Sequence, residues 1–257
     1  MSSYLKNITY LFITIFFVLL VIIGFFIFSK KTFRIESRVK NVEMMKKNDS
    51  DDIKTVGWLR VQGTNIDYPI IYAPTVNLSY RTDDFVWTNA NYKSLNNMVY
   101  ISGHNIKNLS REPLVANKDH SRFEQLMSFI YINFIEKNQY IQYTYNGNDY
   151  LYKIYSVYFE ERNNLELYES DRFSSSEMKK IINTSLESSL YKIDVDLNED
   201  DDFISLNTCT RMFDNLQFVV NARRVRKGEK IELSNVRKGK EYDSIMSYLS
   251  GGNDNEA

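Results

Sequence analysis

The chain holds one cysteine, Cys209, and two histidines, His104 and His120. Cys209 ends the apolar run Phe203–Thr208, within Leu206-Asn207-Thr208-Cys209-Thr210-Arg211. His104 ends a second apolar run, Met98–Ser102, directly after Gly103, a glycine expected to let the backbone turn. A strand end on a rigid sheet holds a reacting side chain in one geometry. A thiol needs a neighbouring base or cation to become a nucleophile near neutral pH, and an imidazole suits that task. Two other readings stand beside this one: Cys209 as a small buried hydrophobe and His104 as a hydrogen-bonded structural residue. His120, in the polar stretch Asn117-Lys118-Asp119-His120-Ser121, reads as solvent-exposed. One cysteine and two distant histidines cannot build a zinc site, and an intrachain disulfide is impossible. The nine glycines are scattered, so no phosphate-cradling loop is expected, and neither metal nor cofactor is implied.

The elements that must position these residues are mostly strands. Gly57–Val61 and Ile66–Tyr72 are short apolar or aromatic runs separated by Gln62-Gly63-Thr64-Asn65. Tyr140–Tyr145, the polar stretch Asn146-Gly147-Asn148-Asp149 and Tyr150–Phe159 predict a hairpin, and apolar residues on both faces of its second arm predict a buried strand. Phe203–Thr208 and Gln217–Val225 supply the last strands. Two helices interrupt them. Ser121 with Glu124 suggests a capping box before a stripe of Phe123, Leu126, Met127, Ile130 and Phe134. Ser174 with Glu177 suggests a second box, before Met178, Ile181, Ile182 and Leu186. The aromatic content of 14% fits a strand-rich fold. The fold class is therefore mainly β with inserted helices, a closed or nearly closed barrel with helices on its rim.

Outside this region the chain changes character. Ile8–Phe28 carries no charge and is long enough to cross a bilayer core of about 30 Å. Ser29-Lys30-Lys31 follows it with no small-residue cleavage pattern, so residues 1–28 read as a retained transmembrane anchor. Residues 29–52 read as an amphipathic stalk with Val39, Val42 and Met45 at helical spacing. Residues 53–225 form the folded domain. Residues 226–257 form a partly disordered extension with a short helix near Tyr242–Leu249. Lys30, Lys31, Arg34, Arg38 and Lys40 outnumber the positive charges before the span, and that count by itself would put the domain in the cytoplasm. The net charge of −1 gives no pull toward nucleic acid.

Gly57-Trp58-Leu59, Asn65-Ile66-Asp67-Tyr68-Pro69-Ile70, Ser102-Gly103-His104-Asn105 and Leu206-Asn207-Thr208-Cys209-Thr210 resemble the sortase family in order and spacing. The resemblance covers about residues 53–225. The anchor and a helix at Ser174–Leu190, before the cysteine strand, look like class B. The insertion Leu109–Asp119 after the histidine resembles the pilus-building branch.

The resemblance implies a sortase-like β-barrel behind an N-terminal transmembrane helix, and a cysteine transpeptidase. Cys209 would attack a threonine carbonyl in the sorting signal of a secreted protein. His104 would protonate the leaving amine, and the thioester would pass to an amine of cell-wall peptide or a pilin lysine. Asn105 and Thr208 would line the substrate cleft. These substrates lie outside the cytoplasmic membrane, so the domain of a single-pass membrane protein would lie there too, since long domains cross despite nearby positive charge. The family arginine at the start of the strand after the cysteine is replaced by Gln217. A glutamine can donate hydrogen bonds but brings no charge, and losing such a donor costs about 10²–10³ in rate. Either Arg211 takes over that role, or Gln217 serves directly, or the protein is slow or inactive and only binds sorting signals. Arg223, on the same strand face as Gln217 but roughly 20 Å on, is a poorer substitute. A protease that hydrolyses its thioester is a further alternative. The sorting motif and the accepting amine are not legible.

Overall fold

The computed structural model describes residues 10, 12–19, 33–50, 54–72, 86–88, 97–105, 123–161, 172–210, 213 and 215–251. The chain divides into two compact units, Met1–Phe33 and Arg34–Ala257. In the first, residues 12–19 are helical and expose their apolar side chains. Among the described residues no helix is long and apolar enough to cross a membrane; the rest of the predicted anchor lies outside them.

The second unit is built on strands β1 (Lys54–Val61), β2 (Asp67–Tyr72), β3 (Val86–Thr88), β4 (Met98–Gly103), β5 (Tyr140–Tyr145), β6 (Asn148–Glu161), β7 (Tyr191–Ile193), β8 (Phe203–Cys209) and β9 (Leu216–Arg224). All but β7 join in a closed barrel, in the order β1-β2-β3-β4-β8-β9-β6-β5. Closure removes exposed sheet edges. The predicted hairpin forms with a tighter turn than expected: only Asn146 and Gly147 turn, at φ 48° and 74°, while Asn148 and Asp149 already pair in β6. Asn-Gly tolerates two consecutive positive φ angles, so a two-residue turn is available.

Side chains alternate between two cores. Leu59, Ile101, Ile141, Tyr152, Ile204, Leu206, Phe218 and Val220 fill the barrel. Met98, Tyr100, Tyr155 and Phe203 point outward and are covered by Phe173, Met178 and Ile182. The last two lie on the helix Ser175–Glu187. That helix starts at the predicted box: Ser174 Oγ accepts from the Glu177 backbone N–H, and the Glu177 carboxylate accepts from the Ser174 backbone N–H.

Helix α1 (Val39–Lys46) buries Val42, and just before it Arg38 pairs with Asp67 of β2 at 2.6 Å. The predicted single helix after His104 is instead a 3-10 helix (Glu124–Ile130) followed by a short α2 (Ile132–Ile135), with Tyr131 extended between them. Every residue of the 3-10 segment is buried, including Glu124 and Gln125. Burial on all sides overrides the one-sided stripe read from the sequence. Ser121, the expected cap, lies outside the described residues. The Ser174-capped helix is α3, and the folded part continues past residue 225. Strand β10 (Val236–Lys238) pairs with β7, and helix α4 spans Tyr242–Gly251.

Candidate functional site

Strands β4 and β8 lie side by side and run parallel, with Gly103 opposite Thr208. Parallel partners end at the same edge of a sheet. His104 and Cys209, each one residue further, therefore leave the barrel together at the strand spacing of about 4.8 Å. Cys209 is exposed and His104 is partly exposed.

Three contacts tie the two ends together. Thr208 Oγ1 donates to the Gly103 carbonyl at 2.7 Å, Ser102 Oγ donates to Asn207 Oδ1 at 2.6 Å, and Asn105 Nδ2 donates to the Cys209 carbonyl at 3.0 Å. The Thr208 side chain is buried and fastens β8 to β4. The Asn105 amide likewise spans the two loops. Gly103 has no positive φ. Its role is close approach: a Cβ there would sit 2.5 Å from the Phe123 ring, and Phe123 N–H in turn donates to the His104 carbonyl at 3.1 Å.

On the other side of β8, Cys209 faces Gln217 of β9, and Gln217 faces Glu160 of β6. Gln217 Nε2 donates to Glu160 Oε1 at 2.8 Å. One row across four strands thus reads His104, Cys209, Gln217, Glu160. Period-2 alternation puts this row on the outer face, with Ser102, Asn207, Val219 and Tyr158 in the row below. Burial, and after it the Glu160 carboxylate, push the Tyr100 and Tyr158 hydroxyls above the ordinary tyrosine range. Both remain neutral at pH 7.

Arg211, His120 and the insertion Leu109–Asp119 lie outside the described residues. Arg223 is at the far end of β9, opposite Phe203, fully buried and held by Glu229 at 2.5 and 2.8 Å. It is a structural cation remote from the thiol. Among the described residues no group of three His, Cys, Asp or Glu could hold a metal. Sequence reasoning misses Glu160. The alternation of β6 puts it on a known face, but only the β6–β9 pairing sets it beside Gln217.

No protein-family profile matches the chain. Sortase B of Staphylococcus aureus is 21% identical over 164 residues, which is 60% of this chain and 62% of that protein's length. The crystal structure of Clostridium perfringens sortase B superposes with a TM-score of 0.59 at 26% identity, covering 72% of this chain and all of that one. A Staphylococcus aureus sortase B–substrate complex superposes at 0.55 with 18% identity, over 73% of this chain and 93% of that one, a likeness of fold. The barrel, the parallel β4–β8 pair and these likenesses together support the resemblance to the sortase family, class B in particular.

Proposed function

We propose that this chain is a membrane-anchored cysteine transpeptidase acting outside the cytoplasmic membrane. The Cys209 thiolate attacks the carbonyl carbon of a threonine in a sorting signal. A carbon–sulfur bond forms, the peptide C–N bond breaks, and His104 gives its proton to the leaving amine. A second amine, from cell-wall peptide or a pilin lysine, attacks the thioester and releases the thiol. The observation that carries this reading is the parallel β4–β8 pair, which ends in an exposed thiol beside a histidine. The shared fold with a sortase B–substrate complex is consistent with a protein substrate for this chain. The uncharged run 8–28 supports the anchor.

The test is to incubate the protein with candidate sorting peptides, with and without an added amine. Ligated product supports the transpeptidase; hydrolysis indifferent to amine indicates a protease instead. Cys209→Ala should abolish turnover and keep the fold, and undiminished turnover would end the mechanism. Labelling intact cells with a membrane-impermeant thiol reagent tests the location. Reaction of Cys209 only after lysis rules out the outside face.

A second reading, a protein that binds sorting signals without turning them over, is favoured by one observation. Gln217 and the Glu160 carboxylate stand where the family resemblance calls for a cation. Peptide binding with no acyl transfer to any amine would establish it.

A further inference from the structure

The extension after residue 225 reaches the catalytic end of the barrel. Gly239 N–H donates to the Leu190 carbonyl at 2.6 Å, fixing the approach to α4. Tyr242, at the start of α4, is buried against Tyr191, with ring centroids 5.4 Å apart, and its hydroxyl accepts from the Ile132 N–H at 3.4 Å. Ile245, Met246 and Leu249 pack on the barrel core. Further along, Tyr248 stacks on Phe213 with centroids 5.0 Å apart and planes 25° apart. Phe213 belongs to the connection between β8 and β9, between Cys209 and Gln217. It meets Phe159 edge-on at 5.0 Å, and Phe159 meets Phe218 at 5.2 Å. Phe159 and Phe218 are the chain neighbours of Glu160 and Gln217. The aromatic series therefore runs behind the row that carries the thiol, from a helix outside the family-like region to the strand pair that faces Cys209.

We infer that Tyr248 is a positioning residue. By stacking on Phe213 it anchors the β8–β9 connection and so fixes how Cys209 and Gln217 face each other. The inference rests on the transpeptidase reading for its consequence in turnover, but not for its effect on the thiol. An aromatic pair of this kind acts beyond its buried area, and the ring carries the effect.

The experiment uses the full chain in detergent micelles. Two properties are measured for Tyr248→Ala, Tyr248→Phe, Phe213→Ala and the double alanine variant. One is the rate of Cys209 alkylation by a neutral reagent across pH. The other is kcat and KM for peptide–amine ligation. Tyr248→Ala should lower kcat about tenfold, with KM within about twofold, and should displace the alkylation profile. Tyr248→Phe should retain both. The double variant should be no worse than the poorer single, because the two rings act as one unit. Circular dichroism checks each fold; if Tyr248→Ala fails to fold, Phe213→Ala and Tyr248→Phe carry the comparison. The inference is overturned by a parental alkylation profile in the alanine variants, by Tyr248→Phe losing as much as Tyr248→Ala, or by independent effects that multiply. Alkylation needs no sorting signal. A displaced profile in a protein that ligates nothing would sink the transpeptidase reading and leave this inference standing.

Discussion

Asn105 Nδ2 donates a hydrogen bond to the Cys209 carbonyl oxygen at 3.0 Å, so the residue after the histidine holds the backbone that carries the thiol. The bond joins two loops that leave the barrel from parallel strands and are not otherwise neighbours in the chain. A single hydrogen bond of this kind contributes about 1 kcal/mol. Asn105→Ala is expected to lower kcat about five- to tenfold with little change in KM, because what is lost is the mutual placement of imidazole and thiol. Steady-state ligation kinetics measure it. An unchanged kcat would mean that the strands alone hold the pair.

Gly103 is a packing glycine. Adding a methyl group drives it into the Phe123 ring, whose backbone N–H bonds to the His104 carbonyl. Gly103→Ala should destabilise the protein by about 1–3 kcal/mol through overpacking and displace His104. Denaturant titration gives the first effect and turnover the second. Adding Phe123→Leu should recover part of the stability; no recovery would show that the strain lies elsewhere.

On the proposed mechanism the Gln217 amide, held by Glu160, would take the family arginine's place and donate to the developing oxyanion. Gln217→Ala is expected to reduce kcat by about 10²-fold, the loss typical of one oxyanion donor. Gln217→Arg, held by the same carboxylate, should meet or exceed the parental rate. Parental kcat in the alanine variant would assign the oxyanion to other groups.

Glu229 supports the far end of β9. Its hydrogen bonds from the buried Arg223 hold its carboxyl well below the ordinary 4.5, at about 2. A depressed folded value means that the pair's contribution is complete above about 4.5 and is lost as pH falls toward about 2. Glu229→Gln should cost about 2–4 kcal/mol at pH 7, since it leaves a buried guanidinium without its charged partner. The gap between variant and parent should narrow through that acid window. Thermal melts from pH 7 to pH 2.5 test it, and a gap constant with pH would contradict the assignment.

The Ser174 cap sets the start of α3, whose Met178 and Ile182 cover Tyr100 and Phe203 on the outer face. Ser174→Ala should lower stability by about 1 kcal/mol, read by thermal unfolding. Loss of less than a few tenths would show that the Glu177 side chain suffices alone.

Local chemistry is legible in the sequence wherever neighbouring residues decide the outcome. Asn146-Gly147 announces a turn because both positions tolerate positive φ, and Ser174 with Glu177 announces a helix start because each satisfies the other's backbone. With one cysteine and two histidines in the chain, a thiol–imidazole pair can only be Cys209 with one of two rings. Strands β3, β7 and β10 leave no trace in the sequence, each being too short for a pattern to emerge. The segment after His104 misleads because complete burial leaves no polar face to set a period.

Alternation along each strand fixes which residues share a face, but it says nothing of which strands are neighbours or in which direction they run. Direction was decided by the barrel. Had β4 and β8 paired antiparallel, the same apolar runs would have carried His104 and Cys209 to opposite ends. Their parallel register, and the β8–β9–β6 pairing that adds Gln217 and Glu160, come from closing one sheet around one core. That closure depends on contacts between residues about a hundred positions apart, which no local stretch of sequence encodes.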